Sequence, residues 1–274
     1  MTAARDTELK ISSLGSGSNG NAFLIQFGDK NLLLDAGVPI RTMLACLRTL
    51  GVDRSEVHGV LLSHEHSDHV RALPSLLRRN PIPVFGTSGT LSTIEHSHCH
   101  EFQSRQTFEL FNMSISSFPV AHDARQPVGF FVQAGEVSIV IATDLGEVDD
   151  QTAEFVSRAD HVIIESNYDE QMLRVGPYPE YLKQRIRSST GHLSNNDCAD
   201  FLRQVIGLNT GSVWLAHLSE KNNAPDVAVE TTIGRLTSSG HTCEVRALPR
   251  YDGRVVTWHS SERMSPIRQS SLPF

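Results

Sequence analysis

Residues 63–69 read Ser63-His64-Glu65-His66-Ser67-Asp68-His69, directly after the apolar run Val60-Leu61-Leu62. A run that short and rich in branched side chains is a strand candidate rather than an independent helix. The polar stretch is therefore expected where a buried strand ends. Alternation would aim His64 and His66 to one side, and a following turn would bring Asp68 and His69 round. Three imidazoles and a carboxylate within six positions form a metal-binding set, because neutral imidazole and carboxylate suit zinc, iron or manganese.

Those residues cannot close two metal sites, so further ligands are expected at the ends of later strands. His122 ends Phe118-Pro119-Val120-Ala121-His122, Asp144 ends Val140-Ile141-Ala142-Thr143-Asp144, and His217 follows Val213-Trp214-Leu215-Ala216. A random scatter of polar residues seldom places a ligand type at each of these ends.

Further strand-length runs lie at 22–27, 31–37, 128–134 and 161–167. Helical spacing marks Pro39 to Leu50, where Ile40, Met43, Leu44, Leu47 and Leu50 share a face before Gly51. Val70 to Arg79, Tyr181 to Arg187 and Asn196 to Ile206 are the other helix candidates. Strands arrive in hairpin-like blocks with helices interspersed, which predicts an α/β arrangement of two packed sheets with helices outside. No repeat or linker marks a boundary. A single domain over 1–259, followed by a polar tail over 260–274, is the expected organisation.

The chain has 274 residues, a net charge of −7 and 13 histidines. The acidic balance argues against a bulk electrostatic grip on nucleic acid, although bound divalent cations can supply positive charge where a phosphate sits. The four cysteines (Cys46, Cys99, Cys198, Cys243) are scattered and form no CxxC pair, as expected for reduced thiols in the cytoplasm. Neither a secretory signal nor a run approaching the roughly 18 apolar residues of a membrane span is readable.

The His-x-His-x-Asp-His stretch, Asp35 in Leu34-Asp35-Ala36-Gly37, and His122, Asp144 and His217 together resemble the metallo-β-lactamase superfamily. The resemblance runs from Leu9 to about Val256 and implies an αββα sandwich of two mixed β-sheets flanked by helices. It further implies two divalent metal ions, one on His64, His66, His122 and Asp144 and one on Asp68, His69, Asp144 and His217. Asp35 would support the ligand loop by hydrogen bonding. Two metals about 3.5–4 Å apart lower the pKa of a shared water and stabilise a displaced oxygen. Asp68 then counts as catalytic as well as ligating, because it orients that water.

Within the superfamily, His66 stands where di-iron redox members carry glutamate, which favours hydrolysis. The segments Ile164-Glu165-Ser166-Asn167-Tyr168-Asp169 and Gly191-His192-Leu193-Ser194-Asn195 resemble paired segments of phosphodiesterase members. Together with Ser16 to Asn21 and the stretch after His217, they resemble the bacterial WalJ/YycJ-like subfamily linked with the cell-wall two-component operon. That resemblance implies a nuclease with DNA as substrate, acting 5′ to 3′. His192 is the candidate proton donor to the leaving oxygen, and Glu165 the carboxylate that orients it. Asn195, Asn222 and Asn223 are weaker candidates for phosphate or nucleotide contacts. A small cyclic phosphate or phosphodiester, a thioester, or a metal-stabilised regulatory role are the rival readings. The cluster His96-Ser97-His98-Cys99-His100 is expected on a helix end or loop, without a metal. Arg71, Arg78 and Arg79 are expected mainly in solvent.

Overall fold

The computed structural model describes residues 8–78 and 81–261. Strand alternation explains the layering. In Lys30–Leu34 (β3), Leu32 and Leu34 face one cluster while Leu33 faces another. The same strand thus serves the space between two sheets and the space under the outer helices. Around β3 lie Leu9–Gly15 (β1), Ala22–Phe27 (β2), Gly59–Leu61 (β4), Val84–Gly86 (β5) and Cys99–Glu101 (β6). The second sheet is built from Thr107–Leu110 (β7), Met113–Pro119 (β8), Val128–Ala134 (β9), Val137–Ala142 (β10), His161–Glu165 (β11), Ser212–Ala216 (β12) and Glu244–Ala247 (β13). Val256–His259 (β14) returns to pair with β1.

Among the described residues this gives two seven-stranded sheets, ordered β14-β1-β2-β3-β4-β5-β6 and β13-β12-β11-β10-β9-β8-β7. Each is mixed: β1 to β3 and β7 to β10 are antiparallel, whereas β3 to β6 and β10 to β13 run parallel. Phe23, Ile25, Phe130, Ile141, Ile163 and Trp214 fill the space between the sheets. Ile40–Thr49 (α1) covers the outer face of the first sheet through Met43, Cys46 and Leu47. Asp150–Arg158 (α5), Asn195–Val205 (α8) and Pro225–Ser238 (α9) cover the second. The αββα sandwich is as expected.

Several local expectations change. Val70 to Arg79 is not one helix. Ser67–Val70 (α2) and Leu73–Leu77 (α3) are separate, and Arg79 lies outside the described residues. The interruption has a hydrogen-bonding cause: the Asp68 carbonyl accepts from Asn21 N–H at 2.8 Å and Ala72 N–H donates to the Ala36 carbonyl at 2.7 Å. The two groups that would continue the helix to each other are both taken by neighbouring loops. The strands before His64, His122 and Asp144 end at Leu61, Pro119 and Ala142, so strand alternation does not orient those side chains; loops do. Cys99 and His100 lie in β6 rather than on a helix end or loop. Ser88–Leu91 (α4) precedes that strand. Of the expected tail, residues after 261 lie outside the described set.

His161 occupies the core between Trp214, edge-on at 4.6 Å, and Trp258, stacked at 4.7 Å. Its Nδ1 lies 2.6 Å from Ser212 Oγ. Burial pushes its pKa down from 6.5 to about 3, so the folded ring stays neutral while an unfolded one takes up a proton below pH 6.5. Stability from this group is complete above that pH and declines as pH falls toward 3, by about 2 kcal/mol at pH 5. His161→Phe is therefore expected to flatten the decline in melting temperature between pH 6.5 and 5. An unchanged slope would show that His161 does not set acid sensitivity.

Candidate metal centre

The parallel strands deliver their C-terminal ends to one rim, and the site is assembled there. Asp35 follows β3, Asp144 lies two residues beyond β10, Glu165 ends β11, and His217 follows β12. Asp35, Asp144 and His217 have φ of 60°, 59° and 56°, the left-handed region that is uncommon for residues other than glycine. Each turns the chain sharply where its strand stops. Glu65 points away from the cluster, accepting from Arg125 N–H at 2.8 Å.

Asp35 is a brace. Its Oδ1 accepts from Ser63 N–H at 2.9 Å, while Oδ2 takes the Ser63 hydroxyl at 2.8 Å and lies 2.8 Å from His69 Nδ1. Glu165 plays the same part across the site: Oε1 lies 2.6 Å from His217 Nδ1 and 2.9 Å from His192 Nδ1, and Oε2 accepts from Leu145 N–H at 2.5 Å. A carboxylate on Nδ1 fixes the tautomer that leaves Nε2 as the donor atom for a metal.

His64, His66 and His122 converge, with ring centroids 4.7–5.2 Å apart. His122 Nε2 lies 3.2 Å from His66 Nδ1, and His122 Nδ1 lies 3.2 Å from the Gly191 carbonyl. A second group joins Asp68, His69, Asp144 and His217, whose ligand atoms lie within 4.8 Å of one another. Asp144 faces both groups: Oδ2 is 3.1 Å from His69 Nε2 and Oδ1 is 3.6 Å from His122 Nε2. Asp144, Glu165, His192 and His217 make a third, overlapping set. All seven expected ligands and His192 and Glu165 are thus brought together.

The donor set fits divalent metal ions. Buried His64 Nε2 has no hydrogen-bond partner, a costly arrangement for a polar atom in a protein interior. The charges point the same way. Burial drives His64 well below its ordinary pKa. Burial also opposes charge on His69 and His217, yet the Asp144 carboxylate with Asp35 or Glu165 holds both well above it. Asp68 is brought down to about 2, against burial, by His217 and His69. Carboxylates packed this closely require positive charge beside them, which a divalent cation supplies with release of the imidazole protons.

Some contributors lie in recognised segments without being marked out individually by the sequence. Ser63 lies in the loop itself, and its hydroxyl contacts Asp35, His64 and His69. Asn21 Nδ2 lies 3.1 Å from His69 Nε2, and Asn167 Nδ2 donates to the His217 carbonyl at 2.7 Å. The asparagines considered for phosphate contacts have a different role. Asn195, Asn222 and Asn223 are buried; Asn195 and Asn223 bond each other at 2.9 Å, and Asn223 also donates to the Ser166 and Asn167 carbonyls. They brace the loops behind Glu165. Arg71 and Arg78 are exposed. His96 through His100 form no metal-binding group among the described residues.

This fold and ligand constellation define a metallo-hydrolase, and comparison places it: the chain belongs to the β-lactamase superfamily, whose domain description matches residues 30–218. Within that superfamily it belongs to the WalJ-like subfamily. It is 34% identical over 239 residues to Exodeoxyribonuclease WalJ of Streptococcus pneumoniae, covering 84% of this chain and 89% of that protein. Exodeoxyribonuclease YycJ of Bacillus anthracis is also 34% identical, over 80% of this chain and 86% of its own length. Among solved structures, the metallo-β-lactamase fold protein YhfI from Bacillus subtilis superposes with a TM-score of 0.71 at 19% identity, covering 93% of this chain and all (100%) of that one. That likeness concerns the fold.

Proposed function

We propose that this chain is a two-metal phosphodiester hydrolase that shortens DNA from the 5′ end. The observation that carries the reading is the Glu165 carboxylate shared between His192 and His217, which couples a candidate proton donor to the ligand cluster. That the two 34% identical relatives are exodeoxyribonucleases by name supports DNA as substrate. We assign one metal to His64, His66, His122 and Asp144, and the other to Asp68, His69, Asp144 and His217. Zinc or manganese suits these donors best, with iron also compatible. When bound, the cations neutralise phosphate charge and lower the pKa of water.

The chain's own groups do the rest. Asp68, with a side chain 18% exposed, orients the attacking water at the mouth of the site. His192, 22% exposed, has Nδ1 engaged by Glu165, so Nε2 is the nitrogen left to protonate the departing oxygen. Glu165 acts through His192 and is a positioning residue. Four free cysteines support work in the reducing cytoplasm.

The test is incubation of 5′- and 3′-labelled duplex DNA with manganese and the purified protein, beside Asp144→Asn. Progressive shortening from the 5′ end, absent in the variant, is expected. Hydrolysis of bis(p-nitrophenyl) phosphate without any DNA shortening would instead indicate a small-molecule enzyme. His192→Gln should lower kcat by about 10²–10⁴, the range for a lost general acid, with metal content intact. Loss of metal from a folded His192→Gln protein would make His192 a ligand.

A further inference from the structure

The segment Glu170–Val175 (α6) and Glu180–Ile186 (α7) differs in charge from the rest of the chain. Between residues 170 and 187 it carries Arg174, Lys183, Arg185 and Arg187 against Glu170 and Glu180, in a protein of net charge −7. It has its own small core, where Tyr178 and Leu182 pack on Tyr168, Leu173 and Ile186. It is also firmly tied down. Arg185 pairs with Asp123, the neighbour of His122, at 2.6 Å. Asp169 N–H donates to the Asn222 carbonyl at 2.8 Å, and Lys183 Nζ to the Arg174 carbonyl at 2.8 Å. Gly176 closes against Asn222 because it lacks a Cβ, which would lie 2.4 Å from Asn222 Oδ1.

Between this segment and the metal centre lies a cavity of about 170 Å³, lined by His192, Tyr178, Leu182, Asn167, Ser18 and Ser219 among others. Its wall is aromatic and aliphatic on the α6–α7 side and polar on the side of the strand-end loops. The volume is below the roughly 300–1,000 Å³ that encloses a drug-sized molecule, and suits one ring system. Because His192 lines it, an occupant sits beside the phosphate on which His192 acts. An aromatic face accepts any base; the basic side chain in the cavity wall, Arg185, is already paired with Asp123, so recognition rests on the ring rather than on charge.

We propose that this cavity is the subsite for the nucleoside at the reacting end of the substrate, with Tyr178 and Leu182 against the base. The exposed Ser18 hydroxyl is available to the sugar. This rests on the phosphodiesterase reading of the adjacent site and names the specificity element for it.

The experiment compares deoxyadenosine 5′-monophosphate with deoxyribose 5-phosphate as inhibitors of bis(p-nitrophenyl) phosphate hydrolysis by the metal-loaded protein. The nucleotide should inhibit about tenfold more strongly, within the range that one base–aromatic stack contributes. Tyr178→Ala should abolish that preference and Tyr178→Phe should keep it. Tyr178→Leu preserves apolar bulk without the ring and replaces the alanine variant if that fails to fold. Equal inhibition by the two compounds in the unmodified protein, or a preference that survives loss of the ring, overturns the proposal. DNA shortening is measured in parallel. A Tyr178-dependent preference without shortening supports the subsite and removes the nuclease reading; shortening without the preference does the reverse.

Discussion

Gly37→Ala is expected to unseat the ligand loop and lower the melting temperature by about 6–12 °C, corresponding to about 3 kcal/mol in a chain this size. A Cβ at position 37 would lie 1.5 Å from the Asp68 carbonyl oxygen and 2.7 Å from His69 N. The obstacle is backbone, so no rotamer change relieves it. That backbone is also pinned: Gly37 N–H donates to the Asn21 carbonyl at 2.9 Å, and Ala36 N–H to the His69 carbonyl at 2.6 Å. Moving residues 68 and 69 aside displaces two candidate ligands together, so metal content should fall with stability. Thermal melting and metal analysis on the same preparation check this. A variant that melts within a degree or two of the parent and keeps its metal would show that the loop yields easily.

Asp144→Asn should reduce DNA kcat/KM by at least about 10³, or about 4 kcal/mol, while the fold survives. Asparagine tolerates left-handed backbone as aspartate does, so φ of 59° is retained. What is lost is a charge, from a carboxylate that faces both His122 and His69. Metal content should drop with activity, and circular dichroism should stay unchanged. Two retained ions and less than a tenfold loss of rate would show that Asp144 does not bridge the two groups.

The sequence revealed most where one residue type has one strong chemical use. His64, His66, Asp68 and His69 stand within six positions, and the ends of β10 and β12 carry Asp144 and His217 close behind them. The layered fold followed from apolar runs of strand length. Less was readable where context decides. The buried face of α9 is Ala228, Thr232 and Leu236, too small and polar to announce a helix by apolar spacing. α5 is likewise set by its cap, with Asp149 accepting from Thr152 N–H at 2.8 Å. The break between α2 and α3 depends on Asn21 and Ala36, partners far away in sequence. The bracing serine and asparagines look like ordinary loop residues until the loops are placed side by side.

The left-handed turns at Asp35, Asp144 and His217 matter to anyone who wishes to engineer this enzyme for hot or harsh conditions. Routine schemes for toughening a protein relax unfavourable backbone, and glycine is the usual remedy at such angles. Applied here, they would single out three of the residues around which the centre is built. Robustness and chemical output are opposed at those positions, so a sturdier variant is better sought on the exposed faces of α1 and α9, away from the rim.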